Sequence, residues 1–456
     1  MLQITYPNNC LAERDWIVGV LLSEFLGIEY VTKIGDVESI FIESEGRKLE
    51  LADTFFSLAG RHWLKYTSLP HQPLNTWDTR ELSDTIVLVK PVIPVIFGHG
   101  SVEVKKNSIR LGIDVFGSSF FMLSRYEEVV KKDRDDRDRF PAAATLAYQE
   151  NFLDRPIVNE YLEILWNCII QLWPQCERKP RLFRKLVSAD VDQPYSCGIK
   201  RPVHQIKQIG ADLIKRKNPK RAVNNAINYF ASKFDNYSFD PYLSKFDWMM
   251  DVNEKACNKM AFHFIASHSD EVMDGCYSLD EPVIRQLLQR INKRGHEIAL
   301  HPSYNSYNDI DQLSYEVSRL NCVLEECGIE QNIIGSRQHY LRWSPVETAN
   351  NLNEAGLVYD TTLSYADHVG FRCGCCYEYS FYNLVMRKKL SIKERPLIVM
   401  EATFFSYMGE CETPEILKTI LHYELICKQF SGDFVLLWHN SNLVTPIQKE
   451  VYLSII

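Results

Sequence analysis

Seven short apolar runs in the second half of the chain constrain its fold more than any other feature. They cover residues 186–190, 261–266, 297–300, 333–334, 357–359, 397–400 and 434–438. Longer segments with helical character separate them, and this alternation is typical of parallel strands joined by crossover helices. The sequence therefore predicts an α/β fold in which seven strands with intervening helices can close a barrel.

The segment between the second and third runs shows how clear the helix signals are. Ile284, Leu287, Leu288 and Ile291 recur at i, i+3, i+4 and i+7, and Gly295 ends the pattern. The segments before the fourth, fifth and seventh runs carry similar signals. Each predicted helix ends shortly before the next predicted strand begins.

Polar residues suited to catalysis stand at the end of each run or just after it. In chain order they are Asp190 and Asp192, His263 and His268, His301, Arg337 and His339, Asp360, Glu401, and His439. A parallel barrel brings the carboxyl ends of all its strands to one rim, so groups far apart in sequence can converge. A single histidine there is more often structural. Paired aspartates with several histidines are what a divalent metal and an acid/base pair require.

Five of these segments resemble the motifs of the polysaccharide deacetylases of the NodB homology type, which are similar to carbohydrate esterase family 4. The resemblance covers about residues 180–456. Its motifs lie at 188–194, 295–301, 337–340, 360–362 and 436–439, in the family's order. The whole chain also resembles a bacterial subgroup in which such a barrel follows an uncharacterised amino-terminal domain, through residues 120–128, 139–141, 336–341 and 365–372.

The resemblance implies a distorted (β/α)7 barrel that removes N-acetyl or related acyl groups from a carbohydrate, in bacterial cell-envelope or capsular polysaccharide metabolism. It implies that Asp190 is the general base, that Arg337 orients it, and that His439 is the general acid. Asp360 stands in the fourth motif and is counted with these catalytic residues. The implied cofactor is Zn²⁺ or another divalent metal.

The metal site departs from the family's pattern at one position. Asp192 and His301 match two ligands, but Asn305 stands where a second histidine is usual, four residues after the first. An asparagine oxygen is a weak zinc ligand beside imidazole. His339 is the best substitute, although substrate contact or a structural role are equal alternatives. Both Asn305 and His339 are kept as candidate ligands.

This gap leaves a second class of function open. A non-catalytic carbohydrate-binding or assembly protein could retain the barrel and its groove with a degenerate metal site. The persistence of Asp190, Asp192, Arg337 and His439 favours the enzyme, because binding alone needs no complete acid/base set.

The first part of the chain, residues 1–178, is predicted to be a smaller mixed α/β domain. A helix is expected over 16–26, strands over 28–32 and 39–42, and a further helix over 114–128. Residues 131–139 alternate in charge at high density, which indicates an exposed loop. No catalytic constellation is evident here, so a structural or substrate-presenting role is expected.

A basic helical insertion is predicted at about residues 199–247 of the second domain, residues 179–456. Eight basic residues lie between 200 and 221 against the single acid Asp212, namely Lys200, Arg201, Lys207, Lys215, Arg216, Lys217, Lys220 and Arg221. Such a segment could hold an anionic or lipid-linked sugar or make peripheral contact with a membrane. A solvated helical face is the simpler interpretation.

Charge and targeting signals narrow the remaining classes of protein. A net charge of −8 argues against nucleic acid as a partner. The sequence shows no secretory signal and no transmembrane stretch, and its thirteen cysteines are typical of reduced thiols, so a cytoplasmic location is expected. Nothing in the sequence indicates an oligomeric state.

Overall fold

The computed structural model describes residues 1–196, 199, 202–215, 217, 219–234, 236–331, 334–409 and 412–456, with the backbone alone for residues 202, 204, 208 and 221. Two large sheets, a two-stranded ribbon and surrounding helices make up this part of the chain. The protein is therefore mixed α/β, as its sequence predicts.

The first sheet lies within residues 2–113 and mixes parallel with antiparallel pairs. Its strands are β1 (Leu2–Pro7), β2 (Tyr30–Gly35), β3 (Ile40–Ser44), β4 (Arg47–Leu51), β7 (Gly98–Lys105) and β8 (Ser108–Ile113), in the order β2-β1-β3-β4-β8-β7. The ribbon pairs β5 (Asn75–Asp78) with β6 (Val92–Val95). The strands predicted at 28–32 and 39–42 appear as β2 and β3, each shifted toward higher numbers.

Six helices accompany the first sheet. They are α1 (Leu11–Val18), α2 (Phe55–His62), α3 (Val115–Leu123), α4 (Tyr126–Val130), α5 (Leu146–Gln149) and α6 (Ile157–Leu172). Helix α1 continues as a π-helical segment, Gly19–Leu26, which ends at Gly27 with φ +71°. The helix expected over 114–128 is split into α3 and α4, because Arg125 between them adopts φ +56°.

The second sheet has nine strands and carries the polar residues singled out in the sequence. They are β9 (Arg184–Val191), β10 (Met260–Phe264), β11 (Glu297–Leu300), β12 (Gly335–Ser336), β13 (Tyr359–Asp360), β14 (Tyr379–Asn383), β15 (Lys388–Glu394), β16 (Val399–Met400) and β17 (Asp433–Leu437). Their order is β14-β15-β13-β12-β11-β10-β9-β17-β16, and every pair except β14 with β15 is parallel. Eight strands thus have parallel neighbours, and seven of them correspond to the seven apolar runs; the eighth, β15, does not.

Two details of this sheet differ from the sequence prediction. The strand expected at 333–334 forms at Gly335–Ser336 instead, and residue 333 lies outside the described part of the chain. The hairpin of β14 and β15 was not predicted. Among the described strands no hydrogen-bonded pairing joins β16 to the opposite edge, so closure of a barrel stays a prediction.

The helices of the second half connect these strands or, in the case of the last helix, follow them. They are α7 (Pro202–Ile214), α8 (Pro219–Ser232), α9 (Leu243–Lys255), α10 (Pro282–Lys293), α11 (Ile310–Glu326), α12 (Thr348–Glu354), α13 (Thr413–Gln429) and α14 (Pro446–Ile455). Gly295 ends α10 with φ +73°, where a side chain would be strained. No helix in the described part of the chain has the length and apolar character that crossing a bilayer requires.

The cysteines depart from the expectation of reduced thiols at one position. Ten described cysteines are free, but Cys276 is disulfide-bonded. A disulfide is more typical of oxidising compartments than of the cytoplasm.

A buried ion cluster joins the two halves of the chain. Glu128, at α4, receives hydrogen bonds from Arg372 Nη2 at 2.7 Å and from Arg125 Nε at 2.9 Å, and all three side chains are almost completely buried. Burial raises the pKa of Glu128, but Arg372 and Arg125 outweigh it and hold the pKa at about 2. The carboxylate therefore stays charged between two cations in the interior.

Replacing Glu128 by glutamine should lower the free energy of unfolding by about 3–5 kcal/mol, because Arg372 would lose its buried counter-charge and Arg125 would keep only Glu127, 3.7 Å away. Chemical denaturation measures this loss.

The folded pKa of Glu128 lies below its unfolded value, so its contribution to stability is complete above about pH 5 and is lost as the pH falls toward 2. The difference between wild type and Glu128→Gln should shrink over that range. The matched control is Glu415→Gln, whose exposed pair with Lys418 should be worth less than about 1 kcal/mol. Equal losses in the two variants would contradict this role for Glu128.

Candidate active site

The carboxyl ends of the parallel strands supply the site. Asp190 lies in the last residues of β9, and Asp192 follows that strand directly. His301 comes immediately after β11, Arg337 immediately after β12, and His439 two residues after β17. Because parallel strands end at the same edge of a sheet, Asp190, Asp192, His301 and His439 line one cavity of about 460 Å³. Arg337 contacts Asp190 without lining this cavity.

Asp192, His301 and His339 form a cluster that could hold a metal ion. One potential ligand atom from each lies within 4.8 Å of the others. His301 Nε2 is 3.2 Å and His339 Nε2 is 3.7 Å from the same oxygen of Asp192, Oδ1. Two imidazole nitrogens and a carboxylate oxygen are a ligand set of catalytic metal sites in proteins.

The other ring nitrogen of each histidine is fixed from outside the cluster. His301 Nδ1 donates to the main-chain oxygen of Arg337, and His339 Nδ1 lies 2.9 Å from Asp274 Oδ1. A carbonyl oxygen only accepts, so the Nε2 of a neutral His301 presents its lone pair toward Asp192. Such outer hydrogen bonds are typical of metal-binding histidines, whose tautomer and orientation they determine.

The Asp192 carboxylate itself fits this interpretation. Its Oδ1 is buried and has no hydrogen-bond partner among the described residues. Burial raises the pKa of Asp192, but His301 and His339 lower it more strongly, so the group is a carboxylate. Burial lowers the pKa of His301, while Asp190 and Asp192 raise it to above its usual value. An unpaired buried carboxylate oxygen facing two imidazole nitrogens fits a cation between them.

Asp190 lies beside this cluster and is held by Arg337. Arg337 Nη1 donates to Asp190 Oδ1 at 2.8 Å, while its Nη2 donates to Ser188 Oγ and its Nε to the main-chain oxygen of Thr361, each at 2.9 Å. Burial raises the pKa of Asp190, but Arg337 outweighs it and the net shift is downward. His263 Nδ1 is 3.4 Å from the same carboxylate. Asp190 is therefore an oriented carboxylate able to accept a proton.

His439 follows β17, the neighbour of β9 in the sheet, and is paired with Glu401. Its Nδ1 lies 2.6 Å from Glu401 Oε1, and its Nε2 lies 3.6 Å from Asp192 Oδ2. Glu401 Oε1 also accepts from the main-chain nitrogen of His439 at 2.9 Å and from Asn442 Nδ2 at 2.8 Å. Burial lowers the pKa of His439, but Glu401 raises it to about 10. The ring is thus a cationic proton donor pointing into the cavity.

Two residues predicted for the site lie elsewhere. Asp360 is fully buried behind Arg337, where it accepts from Ser336 Oγ at 2.7 Å and from the main-chain nitrogen of Thr362 at 2.9 Å. Burial raises its pKa. It does not line the cavity, and its hydrogen bonds lie within β12 and the turn after β13. A catalytic role for Asp360 stays a prediction.

Asn305 is turned away from the candidate ligands. Its Nδ2 donates to the main-chain oxygen of Ser269, and its Oδ1 accepts from Arg342 Nη1, both at 3.3 Å. No described contact joins it to Asp192 or His301. His339, which comes from the turn after β12, stands in the cluster in its place.

Several groups at the site carry no clear signal in the sequence. Asp274 orients His339 from a loop between β10 and α10 that has no periodic pattern. Arg137 and Arg139 belong to the charge run at 131–139, yet both line the cavity, and Arg139 donates to the main-chain oxygen of Tyr340 at 3.0 Å. The run is therefore an exposed loop only in part. A larger cavity of about 640 Å³ beside α9 and α10 contains none of these convergent groups.

Substituting the candidate ligands one at a time should show whether His339 or Asn305 is the third metal ligand. Asp192→Ala, His301→Ala and His339→Ala should each lose bound divalent metal, because two remaining ligands hold an ion weakly. Asp274→Asn should lower metal affinity by about 10–100-fold through the orientation of His339. Asn305→Ala is the matched control and should bind as wild type does. Metal content by elemental analysis and affinity by competition with a chelator measure these effects. Loss of metal in Asn305→Ala with retention in His339→Ala would reverse the assignment.

Comparisons with known proteins match parts of the chain. Residues 2–174 match a protein family of unknown function, DUF7033. The comparison with curated proteins gives no match.

Two solved structures resemble parts of the chain. One is a protein from Mycobacterium smegmatis described as a polysaccharide deacetylase, with 16% identity and a TM-score of 0.40 over 61% of this chain and 83% of that one. The other is Puue allantoinase, with 11% identity and a TM-score of 0.31 over 47% of this chain and 68% of that one. At these TM-scores the likeness assigns neither fold nor activity, so the function is argued from the geometry of the site.

Proposed function

We propose that this chain is a metal-dependent hydrolase that removes N-acetyl or related acyl groups from a carbohydrate by cleaving a linear amide bond. One observation carries the proposal. A fixed carboxylate, Asp190, lies 3.9 Å from His301 Nε2, and an ion-paired imidazole, His439, lies 3.6 Å from Asp192 Oδ2, so both adjoin the cluster that could hold a metal. Hydrolysis of an amide needs such a proton acceptor and proton donor around one electrophilic centre.

The candidate metal ligands support zinc as the ion. Asp192, His301 and His339 would hold it through one oxygen and two nitrogens, which zinc accepts in catalytic sites. When bound there, the ion would supply Lewis-acid chemistry, polarising the amide carbonyl and lowering the pKa of water. Asp274 and the main-chain oxygen of Arg337 would keep both imidazoles oriented.

The remaining steps belong to residues of the chain. Asp190, held as a carboxylate by Arg337, accepts the proton of the water that attacks the carbonyl carbon. His439, fixed by Glu401, donates a proton to the amide nitrogen as its bond to that carbon breaks. One water is consumed, and the products are the carboxylic acid and the sugar amine. Arg337 and Glu401 are positioning residues, because they act through Asp190 and His439.

The proposal includes the organisation of the chain. Residues 179–456 form the catalytic part with a (β/α)7 arrangement, and residues 1–178 form an amino-terminal domain that contributes Arg137 and Arg139 to the cavity wall. The order of the seven strands that correspond to the apolar runs supports such an arrangement. A role in bacterial cell-envelope or capsular polysaccharide metabolism would fit a sugar substrate.

Asp190→Asn should reduce acetate release by about 10²–10⁴-fold while metal content stays at the wild-type level, because an amide cannot accept the proton. The measurement is acetate released from N-acetylated oligosaccharides, together with elemental analysis. Asp367→Asn changes an exposed aspartate and should leave both quantities unchanged. Wild-type turnover in Asp190→Asn would exclude it as the base. A wild-type protein that holds no metal and releases no acetate would instead be a carbohydrate-binding protein.

The unpaired guanidinium of Arg137 in the cavity wall favours a substrate that carries negative charge. Arg137 lies over the ring of Tyr340 at 4.8 Å, its Nε has no hydrogen-bond partner, and no described carboxylate pairs with it. A guanidinium without a counter-charge at the cavity of a hydrolase is suited to a carboxylate or phosphate on the sugar.

Arg137→Gln should therefore lower kcat/KM about tenfold or more on acetylated sugars that carry a carboxylate or phosphate, mainly through KM. Neutral acetylated sugars should be hydrolysed as before. Lys132→Gln removes a charge from an exposed residue of the same loop and serves as the control. If Arg137→Gln lowers kcat/KM equally for neutral and anionic substrates, Arg137 shapes the cavity but does not recognise the charge of the substrate.

A further inference from the structure

The paired helices α7 and α8 turn large apolar side chains toward solvent. On α8, Val223, Ile227 and Phe230 recur at i, i+4 and i+7, and Phe234 continues the spacing just beyond the helix. Residues at this spacing lie along one face of a helix. Phe230 is 66% exposed and Phe234 is 84% exposed. A soluble helix normally buries such a stripe.

Helix α7 carries a second exposed apolar stripe. Val203, Ile206, Leu213 and Ile214 are all exposed, and Ile214 reaches 81%. Their spacing of i, i+3, i+10 and i+11 again places them along one side of the helix.

The face between the two helices is polar. Gln205 Nε2 donates to the main-chain oxygen of Asn225 at 2.8 Å, and Asn225 Nδ2 donates to Asp212 Oδ2 at 2.6 Å. Asn228 is buried there as well and donates to Asp240 at 2.9 Å. The pair therefore places its hydrogen-bonding groups inside and its apolar groups outside, the reverse of an ordinary soluble helix pair.

Among the described residues from 202 to 234, the solvent side of the pair carries positive charge and no exposed negative charge. Asp235, which follows in the sequence, lies outside the described residues. Lys207, Lys215, Lys217, Lys220 and Lys233 are exposed. Asp212 is the sole acidic residue of the sequence between 200 and 233, and it is buried. Lys200, Arg201 and Arg216, which the sequence analysis counted in this segment, lie outside the described residues, as does the side chain of Arg221.

We propose that α7, α8 and Phe234 form a membrane-binding hairpin, which lays its apolar stripes into the interface of an anionic bilayer. Exposed apolar side chains bordered by lysines match the two components of such an interface, the acyl boundary and the negative headgroups. A second copy of this chain fits less well, because it would bring two cationic hairpins together. The inference stands independently of the proposed hydrolase activity.

The hairpin lies close in sequence to the candidate active site, so membrane binding would act near that site. It begins ten residues after Asp192, in the segment that leaves the carboxyl end of β9. Membrane binding would thus act on the connection that follows the candidate active site. A lipid-linked substrate would suit such an arrangement.

The apolar component is tested with the full chain and two kinds of vesicle, phosphatidylcholine alone and equal parts phosphatidylcholine and phosphatidylglycerol. Wild type should co-sediment with the anionic vesicles at low salt. Phe230→Ser with Phe234→Ser should weaken this binding about tenfold or more, because two exposed aromatic anchors are lost. Leu425→Ser, an exposed leucine on α13, is the matched control and should bind as wild type does. These substitutions replace exposed side chains, and circular dichroism checks that the fold is retained.

The charge component is tested with Lys215→Gln and Lys217→Gln together. Each lysine near an anionic surface contributes about fivefold in affinity, so removing both should weaken binding about 25-fold on anionic vesicles and little on neutral ones. Lys418→Gln on α13, whose lysine is 77% exposed, is the control for charge. Salt should weaken wild type more than it weakens the lysine variant.

Three outcomes would overturn the proposal. The first is a wild-type chain that does not bind the anionic vesicles at low salt. The second is unchanged binding in the double phenylalanine variant. The third is a wild-type dimer in light scattering that Phe230→Ser with Phe234→Ser converts to a monomer, which would assign the stripes to a second copy of the chain.

Discussion

The buried guanidinium of Arg337 is the interaction on which the candidate site depends. Its main-chain nitrogen donates to Leu300 at the end of β11, and its side chain reaches Asp190 on β9 and Thr361 after β13. Its carbonyl oxygen accepts from His301. One residue therefore links the ends of three other strand segments. A cation at this depth is stabilised only while those partners stay in place, so the proton acceptor and a candidate metal ligand share a single anchor.

The sequence predicts the scaffold of this site well, because parallel strands leave strong patterns. Strand β11 forms at Glu297–Leu300 as its apolar run indicates, and β9 and β17 differ from their predicted ranges by a few residues. The rule that carboxyl ends share an edge is enough to place the residues after these strands near one another. Very short strands are harder. Strand β12 has two residues, and its position is set by pairing with β11 and β13 more than by local preference.

Tertiary geometry decides what the sequence leaves open at the metal cluster. The sequence keeps Asn305 as a candidate ligand because it stands where the family's second histidine is usual, and it offers His339 as the best substitute. The choice depends on Asp274, whose carboxylate fixes His339 Nδ1 and also accepts from the main-chain nitrogen of Tyr304 at 2.6 Å. Asp274 lies in an irregular loop whose path no periodic pattern describes. Arg137 was missed for a related reason, because a dense mixed-charge run resembles any solvated loop until its neighbours are known.

The arginines of the cavity wall and the strand-end groups come from different parts of the chain, so the two could change independently in related proteins. The groups that would carry out chemistry come from strand ends after residue 184, whereas Arg137 and Arg139 come from the stretch that precedes the second sheet. Under the proposed function, the reacting groups and the two arginines of the cavity wall would come from different parts of the polypeptide, which the buried pair of Glu128 and Arg372 joins. Changes in the earlier part would then alter which substrates enter while the reacting groups stay the same. Under the proposed function, a related chain without this preceding stretch would keep the reacting groups but would lack Arg137 and Arg139 in the cavity wall, so its cavity would be more open to solvent.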